Sequence, residues 1–145
     1  MIALIQRVNW ARVKIDGQLY SEIGPGLLAF IGIETADNAG LTGKLVDKIL
    51  AYRVFGDDEG RMNLDLKAVG GELMLVSQFT LAASTDKGLR PSFTSAKPPA
   101  EAEKIYQRLV ATAMARHEVV RDGKFATDMQ ITLENDGPVT FILQV

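Results

Sequence analysis

The sequence predicts an α+β domain, rich in strands and carrying two inserted helices. Short apolar runs cut by Gly and Pro dominate both ends of the chain, and two segments between them carry apolar residues at helical spacing. The third observation is scale: 145 residues with 47% hydrophobic and 23% charged side chains match one core, with no repeat or low-complexity linker to divide it. A chain of this length buries roughly 68–70% of its unfolded surface, so residues 1–145 read as a single domain that needs no disulfide or metal staple.

The first strand runs from Ile2 to Val8. Ala11 to Ile15 and Gln18 to Ile23 form a hairpin through Asp16-Gly17, a pair suited to the positive φ of a two-residue turn. After Gly24-Pro25-Gly26, the run Leu27 to Ile33 is almost wholly apolar and reads as a central strand buried on both faces. Leu41, Leu45, Ile49 and Tyr52 then recur on one face, with Asp37 or Asn38 placed to cap, predicting a helix over 39–54. A polar loop with Asp57-Asp58-Glu59 precedes another core strand, Glu72 to Phe79. Pro98-Pro99 opens the second helix, whose stripe is Ala102, Ile105, Tyr106, Leu109, Val110, Ala113 and Met114. Two final strands, Met129 to Leu133 and Val139 to Leu143, flank Asn135-Asp136-Gly137-Pro138, which reads as ordinary turn chemistry.

Composition removes much catalytic chemistry. Zero Cys excludes thiol catalysis, disulfides, iron–sulfur clusters and thiolate zinc, and the single His117 excludes every two-His metal motif. His117, at the end of the second helix, is expected to face solvent or complement the helix dipole. The acids Asp57, Asp58 and Glu59 are expected to be solvated, so neither a metal nor another cofactor is called for. With 16 basic and 18 acidic residues the net charge is −2, spread evenly, so any RNA partner must be held at a local site. The start lacks a basic, apolar leader and no run approaches a membrane span, so a soluble, cytoplasmic protein without membrane contact is expected.

Two segments carry polar groups where chemistry can occur. In Val76-Ser77-Gln78-Phe79-Thr80-Leu81, hydroxyl and amide groups meet the end of an apolar strand, where backbone N–H groups leave the ladder and can face a substrate oxygen. The same residues are also compatible with a strand turning into a polar loop. Asn135-Asp136-Gly137-Pro138-Val139-Thr140 is equally ambiguous when read by itself.

Taken together and in order, these blocks resemble the D-aminoacyl-tRNA deacylase family over nearly the whole chain. The similarity covers Gln6-Arg7-Val8, Ile23-Gly24-Pro25-Gly26-Leu27-Leu28, Ser77-Gln78-Phe79-Thr80-Leu81, Gly88-Leu89-Arg90-Pro91-Ser92-Phe93 and Asn135 to Thr140. Ala82 stands where many members carry Tyr, and Phe125-Ala126-Thr127 replaces a usual Phe-Gly-Ala. The resemblance implies a curved, mainly antiparallel, barrel-like sheet with two helices, assembled as a homodimer. It implies hydrolysis of the ester between a D-amino acid, or glycine, and the 3′ end of tRNA, without a cofactor. Ser77, Gln78, Phe79 and Thr80 would surround the scissile ester, with the Phe79 N–H an oxyanion donor and Thr80 either positioning groups or acting as nucleophile. Gly137-Pro138 would enter from the other subunit through a cis bond and exclude L substrates, with Arg7 supporting that loop. A non-catalytic RNA-binding module, or an editing deacylase for another mischarged amino acid, are the alternatives to be separated by assay.

Overall fold

The computed structural model describes residues 1–145. Its organising element is β1 (Ile2–Ile15), a 14-residue strand with partners on both edges. Along one edge it pairs antiparallel first with β3 (Gly26–Gly32) and then with β2 (Gln18–Ile23); along the other it pairs antiparallel with β8 (Gln130–Gln144). β3 continues into β6 (Glu72–Ser77) and β6 into β7 (Val120–Asp122), both parallel, so the sheet is mixed. The Ser21 hydroxyl of β2 donates to the Asp122 carbonyl of β7 at 2.9 Å, bringing the sheet's two ends together into an almost closed barrel. This is the expected α+β arrangement of a curved sheet and two helices.

Strand alternation divides the core. Leu28, Met74 and Val76 face the barrel interior with Val8, Ala11, Val13 and Ile23. Leu27, Ala29, Ile31, Leu73 and Leu75 face outward against α1 (Thr42–Ala51) and α2 (Pro99–Arg116). β3 is therefore buried on both faces, as its unbroken apolar run requires. Gly26 admits no other residue, because a Cβ there would stand 1.9 Å from the Glu72 carbonyl oxygen of the neighbouring strand.

The expected hairpin forms at Asp16-Gly17, with φ of 50° and 76° and Ile15 opposite Gln18. Other expectations need correction. Ile2 to Val8 and Ala11 to Ile15 are one strand, since β1 passes its irregular residues by register shifts without turning. Asn135-Asp136-Gly137-Pro138 likewise does not reverse the chain: β8 runs through it. Val8 pairs with Asn135 and Gln6 with Thr140, so the single residue Arg7 stands opposite the four residues 136–139, which bulge from the ladder.

The first helix is shorter than 39–54. Asn38 caps a 3-10 turn, Ala39–Leu41, by accepting the Gly40 N–H at 2.9 Å; α1 then ends where Tyr52 turns extended. α2 begins at the prolines as expected, but Met114 lies off the buried stripe and is 51% exposed. His117 does not face solvent freely, because its Nε2 lies 2.8 Å from the Gly71 carbonyl. A small hairpin of β4 (Phe55–Gly56) and β5 (Met62–Leu64), and the three-residue β7, were too short to give a sequence period. In that hairpin Asp57 accepts the Glu59 and Arg61 N–H groups and the Asn63 amide, and these bonds hold its carboxyl below the usual carboxylate range. No helix is long and apolar enough to cross a membrane.

Candidate active site

A cleft of about 820 Å³ opens beyond the C-terminal end of β6. Ser77 is the last residue of the ladder, opposite Ile31, and the Gln78 N–H donates to the Ile31 carbonyl at 2.8 Å. The chain then leaves the sheet as a single 3-10 turn, Phe79–Ala82. The Phe79 and Thr80 N–H groups open that turn, where no preceding residue of the helix offers a carbonyl. Gly32 lets the turn sit against β3: a Cβ there would be 2.8 Å from Leu81 Cβ.

Ser77, Gln78 and Phe79 line the cleft. Thr80 is adjacent to its wall, and its Oγ1 accepts a hydrogen bond from Gln78 Nε2 at 2.6 Å. The Phe79 ring is 61% exposed and packs against Phe93 at 5.1 Å between centroids. A strap made of Phe93, Ala96, Lys97 and Pro98 completes this side. It is fixed by backbone bonds from Thr35 to Ser95 and from Lys97 to Ile33, and by the Ser95 hydroxyl donating to the Ala82 carbonyl at the end of the 3-10 turn.

The facing wall is Phe125, Ala126, Thr127, Asp128 and Met129. Ala126 has φ of 54°, a left-handed conformation that costs an alanine roughly 1–2 kcal/mol relative to the right-handed one. Beneath this wall, the buried Tyr106 hydroxyl donates to the Leu75 carbonyl at 2.9 Å, with the Gly123 carbonyl at 3.3 Å. Burial first, and the nearby Asp122 charge second, push its phenol far above the ordinary tyrosine range. Desolvation likewise raises Asp122. Sequence reasoning singled out Ala126 and the block that ends at Phe93, but gave no site role to Ala96, Lys97 or Met129, which are brought to the cleft by the fold alone.

The second motif is elsewhere in the chain. The Gly137–Pro138 bond is cis, and Gly137 has φ of 126°. Arg7 grips the bulge: its Nε donates to the Asp136 carbonyl at 3.1 Å and lies 3.0 Å from the Asp136 carboxylate, while Nη1 donates to the Val54 carbonyl at 2.6 Å. Arg7 is thus bonded to Asp136, next to Gly137-Pro138 in the bulge, and none of the three lines the cleft. Arg7 is level with Leu27 and Leu73, whereas Ser77 is four residues further along β6. Strand geometry puts that offset at roughly 13 Å, with β3 and β1 intervening between β6 and β8 at about 4.8 Å per strand. Nowhere do three His, Cys, Asp or Glu side chains gather as metal ligands would.

A family model described as D-Tyr-tRNA(Tyr) deacylase matches residues 4–144. The chain is 53% identical over 145 residues to a D-aminoacyl-tRNA deacylase of Shewanella loihica, covering the whole of both. It is 54% identical over 144 residues to that of Azotobacter vinelandii, covering 99% of each. Among solved structures, it superposes on a c-Myc DNA unwinding element binding protein with a TM-score of 0.95 and 36% identity, covering 100% of this chain and 99% of the other. A probable eukaryotic D-amino acid tRNA deacylase shares the fold at a TM-score of 0.85 and 15% identity, with 99% and 98% covered.

Proposed function

The chain belongs to the D-Tyr-tRNA(Tyr) deacylase family, and on that premise we propose that it hydrolyses the ester joining a D-amino acid to the 3′-terminal adenosine of tRNA. Free D-amino acid and tRNA are the products, and the setting is the cytoplasm, where aminoacyl-tRNA is used. The observation that carries this reading is the convergence of Ser77, Gln78 and Phe79 in one cleft at the end of β6, inside a family match that spans 4–144.

An aminoacyl ester is already activated, so positioning and charge stabilisation can supply most of the acceleration. In this reading water attacks the ester carbonyl, the Phe79 N–H donates to the oxygen as it becomes negative, and the C–O bond to the ribose breaks. The proton released by water reaches the departing 3′ oxygen through the neighbouring ribose 2′-OH. Ser77 and Gln78 orient the aminoacyl group. Thr80 positions groups and is not the nucleophile, because its bonded neighbour is the Gln78 amide N–H, a donor that cannot take a proton. No step requires a cofactor.

Chirality is read by Gly137-Pro138 of a second subunit. Within one chain that pair is separated from the cleft by the offset along β6 and by two strands, which supports action across a homodimer. Its carbonyls hold the substrate amino group and leave no space for an L side chain, so selection works by exclusion. D side chains of any size are accepted, and glycine, including glycine mischarged on tRNA for alanine, is hydrolysed too. The Arg7 clamp keeps the pair in place.

The deciding assay compares D-Tyr-tRNA, L-Tyr-tRNA and glycyl-tRNA. Release of D-tyrosine and glycine with L-Tyr-tRNA left intact is expected. Binding without release from any ester would make the protein an RNA-binding module, and release of L-alanine from a mischarged tRNA would make it an editing enzyme of another kind.

A further inference from the structure

We propose that the projecting loop between Ser84 and Ser92, with the adjoining Phe79–Phe93 pair, is a docking platform for the single-stranded nucleotides that precede the terminal adenosine of tRNA. The proposal rests on the deacylase reading and names how the same site grips the rest of its substrate.

Ser84 and Ser92 exchange two backbone hydrogen bonds, at 2.9 and 3.0 Å, and so close the base of a loop whose seven intervening residues stand clear of the molecule. Gly88, with φ of 69°, turns its tip. Leu89 is fully exposed beside it, which no packing requirement explains. Lys87 and Arg90 form neither an ion pair nor a hydrogen bond, whereas Lys97, the cation in the cleft itself, is committed to the Thr35 carbonyl at 2.7 Å and to Glu101 at 3.9 Å. The loop's one acid, Asp86, accepts from the Ser84 hydroxyl at 3.0 Å, back at the base.

Immediately after this loop, Phe93 lies against Phe79 at the cleft mouth, and both rings are exposed. Exposed aromatic faces, with uncommitted cations three and six residues before Phe93 in the chain, are the two parts a single strand needs: bases stack on rings whatever their sequence, and phosphates take the cations. The occupant follows from charge. A chain of net charge −2 has no general attraction for nucleic acid, so the grip must come from a local group of free cations next to the reacting end.

The test measures KM for D-Tyr-tRNA and for D-tyrosyl-adenosine, which has no phosphate, using the intact protein and the Lys87→Ala/Arg90→Ala and Leu89→Ser variants, with molecular mass followed by sedimentation. The double variant is expected to raise KM for the tRNA about tenfold, at least five times more than for the nucleoside ester. It should also lower the slope of log KM against log salt by about 0.7 for each phosphate that is no longer neutralised. Leu89→Ser should raise KM for the tRNA more than for the nucleoside ester. Equal penalties on the two substrates, or none, would overturn the platform while leaving the deacylase reading intact. Dissociation of the assembly by Leu89→Ser would overturn it in favour of a contact between copies. Failure of the unaltered protein to cleave either ester would overturn both readings.

Discussion

Thr80 and Asp122 show how a side chain's neighbours decide its role. Thr80 Oγ1 accepts from an amide and meets no base, so Thr80→Ala should lose about tenfold in rate, the equivalent of ~1.4 kcal/mol of hydrogen bonding. Steady-state kinetics checks this, and an acyl-Thr80 adduct caught by mass spectrometry would reverse it. Asp122 is raised by desolvation, so the folded state binds its proton more tightly than the unfolded chain does. Its favourable contribution is therefore present in acid and is lost as pH rises through the folded value. Asp122→Asn should melt at or above the temperature of the unaltered protein at pH 7, with the gap closing as pH falls towards 4. The bond from Ser21 goes to the Asp122 backbone carbonyl and survives the change.

Two elements hold the cleft open, the 3-10 turn after β6 and the wall over residues 125–129. The turn is pressed onto β3 at Gly32 and tied to the strap by Ser95. The opposite wall contains a strained residue, since Ala126 occupies a conformation better suited to glycine. Ala126→Gly should therefore leave stability unchanged or raise it by up to about 1 kcal/mol, despite the added freedom of the unfolded chain. Denaturant unfolding with a constant slope would measure this, and a clear loss of stability would mean that the Ala126 methyl group contributes packing that outweighs its backbone cost.

At the scale of the whole molecule, the long β1 holds the two motifs apart by pairing with β3 on one edge and with the bulge of β8 on the other. If the clamp is supplied by a partner, subunits carrying Arg7→Ala, which frees the bulge, should complement subunits carrying Ser77→Ala/Thr80→Ala. Verified subunit exchange should restore one working site per mixed dimer, up to about a quarter of the activity of the unaltered protein if exchange is random. No recovery after exchange would place the clamp and the cleft in one chain's own service. The protein should also keep its activity after exhaustive EDTA dialysis, since no group of metal ligands is gathered anywhere.

The sequence alone determined the elements whose signals are local. Hydrophobic period exposed the central strand and both helices, Asp16-Gly17 specified its turn, Asp37-Asn38 marked where the first helical segment begins, and the counts of Cys and His bounded the chemistry before any fold was known. Read singly, the Ser77 to Thr80 segment was compatible with a polar loop and Gly137-Pro138 with an ordinary turn; only their occurrence together and in order carried the resemblance. Only the tertiary structure decided whether Asn135 to Pro138 is a turn or a bulge. Both conformations satisfy the same residues, and what selects the bulge is continuous pairing of β8 with a strand more than a hundred residues earlier. The same holds for the cleft walls. Phe93 meets Phe79 because backbone bonds tie the strap to residues 33 and 35 and Ser95 to Ala82, and Ala126 shares the cleft with Ser77 because β7, just before it, pairs with β6; both rest on long-range hydrogen bonds that no local window contains.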